Sequence, residues 1–257
     1  MGNNFIEIRK LKIGEGRPKI CIPLVGRTER DIFADAERIK DACCDIVEWR
    51  ADWFDGVESS DEVLKVLKGL RSILDNRPLL FTFRSSKEGG QKELGRDDYI
   101  ELNRLAVSSG STDLIDLELF AGEEEVRETI DFAHANGVKV IVSNHDFDKT
   151  PDKDTIVDRL CRMQALGADI PKIAVMPNDR ADVLTLLSAT LEMAEKYADR
   201  PIVTMSMAGN GLISRLSGEI FGSAITFGTA GMASAPGQID SKELSTVLDI
   251  IHFNIDY

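Results

Sequence analysis

The sequence predicts an α/β protein folded as a (β/α)8 TIM barrel, and three observations carry that expectation. Short apolar runs alternate with amphipathic stretches, the mark of parallel βα units rather than of a helical bundle or a β-sandwich. Eight such runs occur. The 257 residues suit a closed barrel of roughly 250 residues, and no composition shift or Pro- and Ser-rich linker divides them. Residues 1–257 therefore read as a single barrel domain, with residues 1–14 as an extension in front of the first strand.

The extension comes first. Phe5 to Ile13 alternates around Arg9 and Lys10, which predicts an N-terminal β-hairpin over the lower end of the barrel. The expected strands follow as Lys19 to Val25, Asp45 to Arg50, Leu79 to Arg84, Leu114 to Leu119, Lys139 to Ser143, Lys172 to Met176, Ile202 to Met207 and Ala224 to Gly228, each with a helical pattern behind it. Ser59 with Glu62 reads as a capping box, and Pro151 after Thr150 fits a first helical position. Gly110, Gly137 and Gly167 stand where helices should stop, and Asp240 should cap the last helix. The Gly-, Ala- and Ser-rich stretch Gly228 to Gln238 reads as a mobile loop.

Composition narrows the function. Forty-four acidic against thirty-one basic residues give a net charge of −13, the wrong sign for unassisted binding to nucleic acid or an anionic membrane. No stretch approaches the roughly 20 apolar residues of a membrane span. Met1 to Gly14 has no secretory signal pattern, so the chain reads as cytoplasmic. Cys21, Cys43, Cys44 and Cys161 form no C-x-x-C pair and read as reduced core thiols.

Function shows in the polar residues that interrupt the strands. Alternate residues of a barrel strand face its interior, where a charge is costly unless it is paired or placed at the open C-terminal rim. Glu48 and Arg50 share one parity, as do Thr82 and Arg84 on the next strand, and Asp116 and Glu118 on the one after. The Asp116 and Glu118 pair begins before the strand end and reads as buried ion pairing that fills the interior. Lys172 lies among Ile170, Ile173, Ala174 and Val175, where burial disfavours the charged form and an uncharged amine is a nucleophile. His145 falls at a strand end one strand earlier, while His134 and His252 lie within helices and read as structural. An amine and an imidazole at one barrel mouth suggest imine formation with a carbonyl substrate and a proton shuttle. Histidines and cysteines at metal-ligand spacing are lacking, and no metal is expected. Gly209-Asn210-Gly211 completes no G-x-G-x-x-G, because Ser214 stands at the third glycine's place, so it reads as a tight turn. Arg215, one helical turn along, could hold a carboxylate or another small anion.

Five separated segments, Glu48 to Asp52, Phe81 to Gly90, Ser143 to Phe147, Pro171 to Pro177 and Ser234 to Gln238, together with Ile213 to Leu216, resemble type I 3-dehydroquinase across nearly the whole chain. The resemblance implies a cofactor-free lyase of the shikimate pathway, serving aromatic amino acid biosynthesis or quinate breakdown. Such an enzyme converts 3-dehydroquinate to 3-dehydroshikimate through a Schiff base. It implies Lys172 as the nucleophile, His145 as the general acid and base, and Glu88 as the carboxylate that orients His145. Arg215 would clamp the substrate carboxylate. Glu48, Arg50 and Arg84 would hold ring hydroxyls and keep positive potential near the amine, and Ser234 and Gln238 would arrive with a closing loop. A homodimer is also implied. Two other readings stand beside it: a class I aldolase, which would need a clearer phosphate nest, and a ligand sensor that has lost turnover.

Overall fold

The computed structural model describes residues 5–231 and 237–255. Eight parallel strands form the barrel in chain order, and they follow the eight apolar runs: β3 (Lys19–Leu24), β4 (Ile46–Arg50), β5 (Leu79–Thr82), β6 (Leu114–Glu118), β7 (Lys139–Asp146), β8 (Ile170–Val175), β9 (Val203–Ser206) and β10 (Ile225–Thr229). β10 pairs back onto β3, with Ile225 opposite Lys19. A short strand β11 (Ile239–Asp240) adds to the outer side of β10. The remaining seam, between β9 and β10, is held by one bridge from Ile202 to Ser223. Side chains reinforce it, since the Ser223 hydroxyl accepts from Thr204 N–H at 3.0 Å.

The expected hairpin is present as β1 (Ile6–Ile8) and β2 (Leu11–Ile13), antiparallel, with Arg9 at φ 57° in the turn. Its apolar side packs Ile8 and Ile13 against Cys21, Ile46, Leu80 and Leu114, inward residues at or near the starts of their strands. The hairpin thus closes the N-terminal end of the barrel, and Arg9 pins it to Asp113 at 2.8 Å. Only the opposite end is left for a site.

Helices α1 (Glu29–Ile39), α2 (Ser60–Leu74), α3 (Arg96–Ser108), α4 (Glu123–Ala135), α5 (Lys153–Leu166), α6 (Arg180–Glu192) and α9 (Ser241–His252) surround the strands. The helix expected after the seventh barrel strand is broken into two short pieces, α7 (Leu212–Leu216) and α8 (Gly218–Phe221). Outward strand residues such as Val47, Trp49 and Phe81 are fully buried beneath the helices, each such side chain contributing about 1.5–3 kcal/mol. Inward residues form a separate apolar floor, and above it the same strands turn polar at Glu48, Thr82, Asp116, Ser143 and Lys172.

The local signals hold with three adjustments. Gly110, Gly137 and Gly167 follow their helices at φ 64°, 73° and 105°, and the Asp240 carboxylate accepts from Lys242 N–H at the start of α9. Pro151 is not the first helical residue: Asp152 caps α5 by accepting from Thr155 N–H at 2.9 Å, a stronger cap than Thr150 offers. Ser59 caps α2, but its own N–H goes to the Gly56 carbonyl rather than to Glu62. β7 runs past Ser143 to Asp146 because His145 and Asp146 still pair with Ala174 and Val175 of β8. Of the Gly228 to Gln238 loop, residues 232–236 lie outside the described residues.

Candidate active site

Lys172 projects inward from β8 above the apolar floor and is buried. Its Nζ donates to Asp116 Oδ2 at 3.0 Å and lies 4.7 Å from the centre of the Phe227 ring. Of the four apolar residues expected around it, Ile170 and Ala174 share its side, whereas Ile173 and Val175 face the outer core. The amine is therefore half of an ion pair rather than a cation isolated among hydrocarbon. Asp116 is fully buried, and its second oxygen accepts from Arg84 Nη2 at 2.7 Å and Ser143 Oγ at 2.6 Å. Burial pushes its carboxyl up, but Arg84, Lys172 and the Ser143 hydroxyl outweigh that and hold it well below the usual carboxylate range. Asp116 is thus a standing anion against the amine.

His145 enters from β7. Glu88 Oε2 accepts both its backbone N–H and its Nδ1–H, each at 2.9 Å. An oxygen that already accepts the backbone proton takes the ring proton as well, which leaves Nε2 as the bare nitrogen. Burial, with Arg84 and Lys172 nearby, holds the imidazole well below its ordinary value, so it is neutral at pH 7. Burial pushes Glu88 up to about 7, against the pull of Arg84 at 3.5 Å and the donors Asn144 and His145. Near pH 7 it is therefore Glu88, rather than the neutral imidazole, that exchanges its proton.

Glu88 sits in a loop, and buried carboxylates fix that loop at both ends. Asp52 accepts from Arg84 N–H at 3.3 Å and Gln91 N–H at 3.1 Å while gripping Arg50 in a two-point bond at 2.8 Å each. Glu118 takes Ser85 N–H at 2.8 Å and Ser85 Oγ at 2.7 Å. Inside these clips, a side chain at Gly90 would collide with the Arg84 carbonyl, and Gly89 turns at φ 83° beneath the Phe147 ring.

Glu48, Arg50, Arg84, Arg215 and Gln238 line the same cavity as Lys172, His145 and Glu88, with Phe147, Met205, Met207 and Phe227 supplying its apolar wall. Glu48 accepts from Thr82 Oγ1 at 2.9 Å. Arg84 is bonded to Asp116, Glu118 and Glu88, and Arg50 to Asp52, so both arginines carry carboxylates of the protein itself. Arg215 arrives from α7, buried with Nη1 at 3.7 Å from Met205 Sδ, and burial lowers it to about 10. An incoming anion would offset that cost of burial. Ser234 lies outside the described residues. Asp116, Asp52 and Asn144 join the site without having been singled out for it. Parity aimed Asp116 inward, but only the register that sets Ser143 beside Lys172 brings it to the amine.

The sequence profile described as Type I 3-dehydroquinase matches residues 20–255. A 3-dehydroquinate dehydratase of Clostridioides difficile (strain 630) is 58% identical over 251 residues, covering 98% of each chain. A crystal structure of the type I 3-dehydroquinate dehydratase from Clostridium difficile, described with covalently modified comenic acid, aligns at TM-score 0.95 with 58% identity over 98% of this chain and 99% of that one. The 3-dehydroquinate dehydratase from Enterococcus faecalis aligns at 0.91 with 43% identity over 96% and 99%.

Proposed function

The chain belongs to the type I 3-dehydroquinases, lyases that dehydrate 3-dehydroquinate, and from that premise we propose that Lys172, His145 and Glu88 carry the reaction through a covalent imine. The observation that carries the proposal is the meeting, in one cavity, of a buried lysine facing a fixed anion and a neutral histidine whose tautomer is set by Glu88. The covalently modified comenic acid described with the C. difficile relative is in keeping with covalent chemistry in that protein.

Lys172 gives its proton to the bare Nε2 of His145 and attacks the C3 ketone as the free amine, and His145 returns the proton to the adduct's hydroxyl, which leaves as water to form an iminium. Asp116 faces the nitrogen throughout, so the cationic iminium keeps the counter-ion the ammonium had. The iminium draws electrons from C2, and bare Nε2 of His145 takes the C2 proton to give an enamine. Glu88 stabilises the resulting imidazolium by accepting its Nδ1–H. The enamine electrons expel the C1 hydroxyl, which leaves as water with the proton His145 carries. Water then hydrolyses the iminium, releasing 3-dehydroshikimate and the amine. One water enters for the one released on imine formation, so the net products are 3-dehydroshikimate and water.

Recognition follows from the lining. Arg215 holds the substrate carboxylate, while Glu48, Arg50, Arg84 and Gln238 serve the ring hydroxyls; Ser234 is assigned to the same task by the family resemblance alone. We place the enzyme in the cytoplasm, as a homodimer of one-domain chains in which residues 1–14 extend the barrel. No helix among the described residues is long and apolar enough to cross a membrane.

Borohydride added during turnover of 3-dehydroquinate tests the mechanism. A reduced adduct should appear on Lys172 by mass mapping, and Lys172→Met should give none. An adduct on another lysine, or turnover with no trappable species, refutes the assignment.

A further inference from the structure

One polar chain connects the Glu88–His145 couple to the outside of the barrel, and the mechanism above makes no use of it. Asn144 precedes His145 on β7 and therefore points to the opposite face of the strand. Its Nδ2 donates to Glu88 Oε1 at 3.1 Å, and its Oδ1 accepts from Arg159 Nη1 at 2.8 Å. Arg159 lies on α5, the helix that follows β7, and its guanidinium rests 5.7 Å from the ring centre of Phe120 at the end of β6.

We propose that Arg159 is a positioning residue for the dehydration, acting through Asn144 to keep an N–H donor on Glu88. This rests on the function proposed above. An amide side chain offers a donor at one end and an acceptor at the other, and nothing in its shape decides which end faces Glu88. A carboxylate is stabilised by the N–H end and opposed by the oxygen end. Arg159 has only donors, so it claims Oδ1 and forces Nδ2 inward. Phe120 and the helix hold the guanidinium where it can do so. The remaining charged groups around the couple are Arg84, Arg50, Glu118, Asp116 and Lys172, on or just beyond β4, β5, β6 and β8, and none of them lies on α5.

Without Arg159 the amide is free to turn over, Glu88 loses its donor part of the time, and the carboxylate gains a proton more readily. Glu88 must be ionised to offset the positive charge His145 gains when it takes the C2 proton, so the acid limb of kcat/KM moves to higher pH. A displacement of about half to one pH unit corresponds to a loss of about three- to tenfold on that limb. At alkaline pH the loss disappears, because Glu88 is ionised in either case.

The experiment compares pH profiles of kcat and KM for 3-dehydroquinate in the wild type, Arg159→Ala, Arg159→Lys and Arg162→Ala. Arg162 is the control: it also faces Phe120, at 6.0 Å, but reaches Glu123 instead of Asn144. Arg159→Ala should lose about three- to tenfold in kcat/KM near pH 6 through kcat, with KM within about twofold and recovery by pH 9. Arg159→Lys, which keeps a donor, should recover most of the loss. Arg162→Ala should follow the wild type. Superimposable profiles for Arg159→Ala, an equal loss at every pH, or the same displacement in Arg162→Ala would overturn the inference. A wild type that turns over but leaves no adduct on Lys172 would instead bring down the mechanism on which it rests.

Discussion

Replacing Asp116 by asparagine keeps the shape of a fully buried side chain and deletes the charge that faces both Lys172 and Arg84. At 3.0 Å, two unit charges attract by about 5 kcal/mol at an effective dielectric constant near 20, before the cost of desolvating them is set against it. An amide in that place must turn an N–H toward one of the two cations. The expected loss of stability is about 3–5 kcal/mol, the range for breaking a buried pair from one side. Lys172→Met costs less, about 1–3 kcal/mol, because Asp116 keeps Arg84 at 2.7 Å and Ser143 at 2.6 Å. The two losses should not add: the double variant is expected to fall short of their sum by about 1–3 kcal/mol. Urea unfolding at pH 7.5 of the wild type, both single variants and the double variant reads this coupling. The pH matters for its sign. Asp116 is held below its ordinary value in the folded protein, so its stabilisation is complete above the unfolded value of about 3.9 and is lost as pH falls through the folded one. Additivity within about 0.5 kcal/mol at pH 7.5 would refute the ion pair as the feature that holds the amine.

Glu88, at about 7, is ionised above that pH and protonated below it, so wild-type kcat/KM should drop about tenfold per pH unit on the acid side. Glu88→Gln should flatten that limb and lower the plateau by about tenfold or more, and a limb that persists unchanged would remove Glu88 from the mechanism. The raised value has a second consequence: whatever stability Glu88 confers below about 4.3 is lost as pH rises through about 7. Gly90→Ala drives a methyl into the Arg84 carbonyl, which is backbone and cannot swing aside, so about 1–3 kcal/mol of stability should go, along with the placement of Glu88. Calorimetry and turnover measured together check it, and a variant with unchanged melting and turnover would show that the loop is not built as tightly as its clips suggest.

Much of this protein is legible in one dimension because its strongest signals are local. Alternating apolar runs mark the eight barrel strands, glycines that reach left-handed φ end the helices, and Asp240 sits where an N-cap must. What misled was also local. Pro151 suggested a helix start, but its neighbour Asp152 has the better capping chemistry. Ile173 and Val175 are close to Lys172 in the chain yet lie on the far side of the strand, so the hydrocarbon around the amine is less than its sequence neighbours suggest.

The sequence by itself determined the barrel, the end of it that would be functional, and the shared parity of Glu48 with Arg50, Thr82 with Arg84 and Asp116 with Glu118, because side-chain direction along a strand depends only on odd and even position. Which inward residues touch was decided by strand register and by the loop between β5 and α3, over separations of 56 residues for Asp116 with Lys172 and 57 for Glu88 with His145. Register is a property of the closed barrel, fixed when all eight strands settle against one another. The neutral histidine, the standing anion and the reach of Arg159 into the site therefore come into being only on folding.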